Sequence, residues 1–243
     1  MTSGVRPAAG LTRGHPARAV IVAIDGPSGS GKSTVAREVA RRLGLRYLDT
    51  GAMFRALTWQ ALQDRTDLED ADALGILAER TVLTVGTDPD APAIAVNGED
   101  VAGPIRLRPV SNAVSAVSAA PHVRARLLLQ QREIIGAGGI VVEGRDIGTA
   151  VAPDAPVKVF LTASSEARAL RRSQEVTGPT AGDVALTQAE IDRRDRLDSS
   201  RAASPLVPAP DAVHVDSTGR SVDDVVRDVL KLCADVGVPG VAG

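Results

Sequence analysis

This sequence predicts a three-layer α/β/α protein around a five-stranded parallel sheet, and three observations point to it. Five short, mostly apolar runs alternate with stretches of helical pattern. Runs of that kind fit strands covered on both faces. A glycine-rich turn follows the first run and opens directly onto a helical segment.

The elements follow in order. Residues 20–24 form the first strand and residues 35–43 the helix after the turn. Residues 46–49 are a short extended piece, followed by a helix over about 52–63. Residues 140–143 form a strand that ends on Gly144, and 157–161 another, with a helix from about Ser165. Residues 212–216 are the last strand. Ser221 opens a helix to about Ala234, with Asp224 three positions on in the place of a capping-box acid. Two stretches break the rhythm. Residues 82–85 and 93–96 are extended, and Asn97-Gly98 reads as a hairpin turn, so a small antiparallel insertion is expected there. Helices over 105–119 and 121–137 continue it. Residues 177–183 form a mobile loop between two Arg-rich helices.

Composition narrows the class. The 243 residues carry a formal net charge of −2, which leaves no electrostatic footprint for nucleic acid or an anionic membrane. No apolar run approaches the ~20 residues of a membrane span. The lone Cys233 excludes an internal disulfide and agrees with a cytoplasmic location. Residues 1–17 and 236–243 read as flexible tails. With no long apolar helix face left unassigned, a monomer is expected. Tyr47, Phe54, Trp59 and Phe160 are the only aromatic residues besides histidine, so the core must be aliphatic.

The turn itself carries chemistry. Gly26-Pro27-Ser28-Gly29-Ser30-Gly31-Lys32-Ser33 fits G-x-x-x-x-G-K-[ST], the loop whose backbone N–H groups surround a nucleoside triphosphate. Lys32 would reach the β- and γ-phosphates, and the Ser33 hydroxyl, with Thr34 beside it, would meet Mg²⁺ carried with ATP. Only three of the 28 basic residues are lysines, Lys32, Lys158 and Lys231. Arginine is the better fork for phosphate, and it gathers at strand and helix ends. Arg145 sits between Glu143 and Asp146 at a strand's carboxyl end, where open α/β sheets bind ligands. Arg168 and Arg172 share a helix face at i,i+4, and Arg194 and Arg201 lie beyond the mobile loop. Arg171, Arg193 and Arg196 read as solvated salt-bridge partners on exposed helices. Fixed guanidinium groups suit phosphoryl transfer, whose transition state spreads charge over the moving oxygens.

The chain strongly resembles the bacterial cytidylate kinases, (d)CMP kinases of the nucleoside monophosphate kinase group. The resemblance rests on Ile24-Asp25-Gly26-Pro27-Ser28-Gly29-Ser30-Gly31-Lys32, Leu48-Asp49-Thr50-Gly51-Ala52-Met53-Phe54-Arg55, Glu143-Gly144-Arg145-Asp146-Ile147-Gly148-Thr149, Pro153-Asp154-Ala155-Pro156-Val157-Lys158 and Ser200-Arg201-Ala202-Ala203-Ser204-Pro205-Leu206. It covers about residues 18–235. It implies a P-loop kinase domain with its core at 18–50 and 138–235, a monophosphate-binding lobe at about 51–137 and a lid at about 173–190. It implies that Arg55, Arg145 and Arg201 grip the monophosphate, with Arg194 closing in. Ser115, Arg124 and Asp146 would read cytosine, Asp198 would meet the sugar hydroxyl, and Thr50 and Phe54 would line the same pocket. Arg168 and Arg172 would lie near the donor nucleotide. Lys32, Arg145 and Arg194 would be the catalytic cations. Phe54 stands where the family often has Tyr, and Thr50 where Ser is common.

The activity implied is transfer from Mg-ATP to CMP or dCMP. From the residues alone, UMP, AMP or shikimate remain open as acceptors, and so does a catalytically silent nucleotide-binding module. A GTP-driven switch would need an Asn-Lys-x-Asp segment, which the chain lacks.

Overall fold

The computed structural model describes residues 20–175, 183–201 and 203–238. In chain order, β1 (Ile21–Asp25) leads through the glycine-rich turn to α1 (Lys32–Leu43), then β2 (Arg46–Asp49), α2 (Thr50–Gln63) and α3 (Ala71–Arg80). The strands β3 (Leu83–Val85), β4 (Ile94–Val96) and β5 (Glu99–Asp100) come next, then a short 3₁₀ turn over Pro104–Arg106, α4 (Arg108–Ala119) and α5 (Pro121–Ile135). The chain returns through β6 (Ile140–Gly144), a π-helical turn over Ile147–Val151, β7 (Val157–Thr162), α6 (Ser165–Glu175), α7 (Val184–Ser200), β8 (Val213–Asp216) and α8 (Val222–Asp235).

The predicted sheet is present: five parallel strands in the order β2-β6-β1-β7-β8. Side-chain alternation splits its core in two. Val22 and Ile24 face one side with Val35, Val39 and Val226, from α1 and α8. Ala23, Leu48 and Val142 face the other, against Met53, Leu57 and Leu127. Because β1 lies between β6 and β7, the strand order reverses at its carboxyl end and opens a crevice there.

The insertion carries the predicted antiparallel sheet, β3-β4-β5. Asn97 and Gly98 both have positive φ, 51° and 86°, as the hairpin turn demands. Sequence reading placed neither the two-residue β5 nor α3. Asp70 caps α3 by accepting from the N–H groups of Asp72 and Ala73. Gly75 breaks its helical pattern because a Cβ there would lie 2.9 Å from His122 Cβ; the glycine lets α3 and α5 pack closely.

Element ends differ where polar residues belong to helices. Apolar periodicity begins at Val35, yet α1 begins at Lys32; α2 begins at Thr50, with the Asp49 side chain accepting from Ala52 N–H. The N-terminal tail expected over 1–17 lies outside the described residues. The C-terminal tail expected from 236 does not start there. Gly237 N–H donates to Ala234 O and Val238 N–H to Cys233 O, a Schellman closure of α8 that buries Val238. Of the lid segment 173–190, residues 173–175 end α6 and 184–190 open α7, while 176–182 lie outside the described residues.

Leu48 is fully buried between β2 and the insertion. Leu48→Ala should cost about 2–5 kcal/mol through lost burial plus a residual cavity, measured as a lowered midpoint in urea unfolding.

Candidate active site

The donor-side loop is shaped by what crowds it. A Cβ on Gly26 would lie 2.0 Å from Leu161 O on β7, and its φ is 151°. Only glycine lets the chain leave β1 there. Gly29 and Gly31 turn the backbone at φ 76° and 91°, and α1 starts immediately afterwards. Lys32 is buried and donates to Pro27 O at 2.8 Å. Burial and the nearby Arg145 pull its ammonium down to about 7, against Glu143 and Asp49, so an anion in the loop would restore its charge.

Helix α6 braces this loop from outside. Arg168 donates to Ser28 O at 3.1 Å and pairs with Asp195, which in turn accepts from Ser28 N–H. Arg168 is therefore fastened to the loop and does not line the cleft. Arg171 was expected to be a solvated helix charge. Instead it donates to Ser30 O at 3.3 Å and to Ser217 O at 2.7 Å, because it lies one turn along the same inward face as Arg168. Arg193 and Arg196 are exposed, as expected. Arg172 lines the cleft and donates to Ser111 Oγ at 3.1 Å.

Across the cleft, Asp49 accepts from Arg55 Nη2 at 3.0 Å while capping α2. Asp198, on α7, is the hub of the acceptor side. It accepts from Arg145 Nε at 3.1 Å and from Ser115 Oγ at 3.5 Å, with Arg194 and Arg201 each at 3.8 Å. Burial pushes its carboxyl up, but Arg145, Arg194 and Arg201 together hold it below the usual range. Burial and Arg145 also bring Arg194 down to about 9. Arg124 pairs with Asp146 and stands over the Phe54 ring, 5.3 Å from its centre, so the three form one wall. Thr50 gives its hydroxyl to Glu143 O at 2.8 Å.

One cleft is lined by Ser28, Gly29 and Gly31 to Thr34 of the loop and by Thr50, Phe54, Arg55, Arg124, Arg145, Asp146, Arg172, Arg194, Asp198 and Arg201. Ser115 lies behind Asp198, in an adjoining pocket between α4 and α7. The Nε groups of Arg55, Arg194 and Arg201 are buried without an acceptor among the described residues.

Residues 22–235 match the model of the cytidylate kinase family. The chain belongs to that family. A cytidylate kinase of Streptomyces coelicolor is 54% identical over 218 residues, covering 89% of this chain and 93% of that one. Those of Streptomyces griseus and Mycobacterium avium are 53% and 52% identical, covering 88% and 89% of this chain and 92% and 97% of theirs.

Four of the five motifs that carry the resemblance supply residues to one cleft; the fifth, 153–158, does not, and its Lys158 pairs with Asp211 at 2.7 Å. Four further polar side chains lining the cleft went unassigned: those of Asp49, Arg106, Ser118 and Glu143. Asp49 and Glu143 stand inside the quoted motifs, so adjacency could have found them. Ser118, which accepts from Arg201 Nη1 at 3.1 Å, carries no signal in the sequence. The cleft's candidate cation ligands are oxygens, the Ser33 hydroxyl and nearby carboxylates. No group of three or more His, Cys, Asp or Glu among the described residues could hold a metal ion. No helix there is long and apolar enough to cross a membrane.

Asp25 ties the two sides together. Its carboxylate accepts from Ile147 N–H and Gly148 N–H, both at 2.8 Å, and so fixes the turn that follows Arg145 and Asp146. Burial raises it to about 6 from 3.8, against those two bonds. The folded state therefore binds the Asp25 proton more tightly than the unfolded chain. Its contribution to stability is greatest in acid and declines as pH rises through about 6. Between pH 7 and pH 5 the wild type should gain about 1 kcal/mol relative to Asp25→Asn. Urea unfolding of both proteins at the two pH values measures it, and parallel pH dependences would refute the assignment.

Proposed function

We propose that this cytidylate kinase transfers the γ-phosphoryl group of ATP to CMP or dCMP, with the cleft residues in the following roles. The excess of arginines over carboxylates lining one cleft together with the triphosphate loop carries the reading. A phosphate oxygen of the acceptor bonds to the γ-phosphorus, and the bond from that phosphorus to the bridging oxygen breaks. Its electron pair leaves with ADP, and CDP or dCDP forms. The attacking oxygen is already an anion, so no general base is needed.

Gly26 to Thr34 hold the donor's phosphates, with Arg172 beside them and Arg168 acting through the loop. Lys32, Arg145 and Arg194 neutralise charge as the phosphoryl group moves. Arg55 and Arg201 hold the acceptor phosphate. The wall of Phe54, Arg124 and Asp146 suits cytosine, whose amino group donates to a carboxylate while its neighbouring acceptors take an arginine. Ser115 donates to Asp198, which is left to meet the sugar. Magnesium, carried in with ATP, would be held by the Ser33 hydroxyl and would supply charge neutralisation at the phosphates. An all-oxygen site with few protein ligands fits that ion.

ADP release in a coupled assay with Mg-ATP tests the reading. CMP and dCMP should both be phosphorylated, and AMP should be roughly a hundredfold poorer because its edge mismatches the Arg124–Asp146 wall. Activity confined to AMP would overturn the base assignment. Lys32→Ala should lower kcat by about 10²–10³ while its circular dichroism matches the wild type. Full activity in that variant would remove Lys32 from the chemistry.

A further inference from the structure

Glu143 is a buried carboxylate with two hydrogen-bond donors among the described residues, one on each side. Ser33 Oγ donates to its Oε2 at 3.0 Å, and Tyr47 Oη donates to its Oε1. The sheet explains the second bond. In the β2–β6 register Tyr47 stands opposite Val141 and Asp49 opposite Glu143. Tyr47 and Glu143 are thus diagonal neighbours on one face, a gap that only a long side chain crosses. Both are almost wholly buried, at 2% and 3% exposure. The Tyr47 ring packs into the aliphatic layer under α1, where phenylalanine would fill the same space. Its hydroxyl is therefore not required by packing. Tyr47 does not line the cleft itself; it lines an adjoining pocket with Ser33 and Asp49.

A buried carboxylate keeps its place only while donors satisfy it. Resting on the function proposed above, donor binding calls Ser33 toward the triphosphate and its magnesium, and Ser33 is bonded to Glu143. Among the described residues, Tyr47 is then the donor that stays with the carboxylate. We propose that Tyr47 is a positioning residue: its hydroxyl anchors Glu143 so that Ser33 is released to the donor nucleotide. Without that hydroxyl, Glu143 holds Ser33 more tightly and competes with the phosphates. The acceptor side is spared, because among the described residues no arginine hydrogen-bonds Tyr47 or the Glu143 carboxylate.

Tyr47→Phe, Glu143→Gln and the double variant test this in the full-length enzyme. Calorimetric titration with a non-hydrolysable ATP analogue and Mg²⁺ is run beside steady-state kinetics. Tyr47→Phe should raise the analogue's Kd and the KM for ATP about tenfold, with the KM for CMP moving by less than about twofold. In the Glu143→Gln background, where the competing charge is gone, the same change should alter Kd by less than about twofold. An unchanged Kd in Tyr47→Phe would overturn the proposal. So would a matching rise in the KM for CMP, or an undiminished effect in the Glu143→Gln background. A wild type that binds the analogue but phosphorylates no CMP would instead defeat the functional reading, and the titrations would still report on Tyr47.

Discussion

Positive charge is gathered in a place with too little negative charge to match it. Lys32, Arg55, Arg145, Arg194 and Arg201 line one cleft, and Asp198 stands nearly alone among the last three. Guanidinium groups that are buried and poorly paired are costly, and the fold tolerates them because an anionic ligand completes the set. Much of the surrounding architecture serves that imbalance. The α2 cap at Asp49 holds Arg55, the α7 carboxylate holds Arg145, and Ser118 on α4 steadies Arg201.

The parallel sheet supplies the rigid frame for these groups. The ends of β1 and β6 lie side by side, with Asp25 paired to Gly144, so the triphosphate loop and the Arg145 turn leave the sheet as neighbours. Asp25 fastens that turn through two backbone bonds, and Arg168 and Arg171 fasten the loop from α6. Phosphoryl transfer depends on positioning more than on covalent help from the protein, and this bracing is where positioning originates.

The loop, Arg55, the Arg145 turn and Arg201 were legible because each lies inside a short contiguous motif whose residue types imply their chemistry. The antiparallel insertion was legible through Asn97-Gly98, a pair suited to a turn with positive φ at both positions. Other features depend on partners distant in the chain and leave no local pattern. Ser118 reaches Arg201 across 83 positions, and Gly75 is explained only by His122 on another helix. Arg171 looked like a surface charge because its acceptors are backbone carbonyls and a serine far along the chain.

The sequence by itself determined the fold class, the family and the identity of most cleft residues. The fold class follows from hydrophobic alternation and glycine placement, which are properties of neighbouring residues, while the family and most cleft residues follow from the resemblance that its local motifs carry. Only the tertiary structure decided which charges meet: Asp198 with three arginines, Arg124 with Asp146 over Phe54, and Glu143 between Ser33 and Tyr47. The physical reason is that electrostatic and hydrogen-bond partners are set by proximity in space, and the sheet register and helix packing bring together groups up to 187 positions apart.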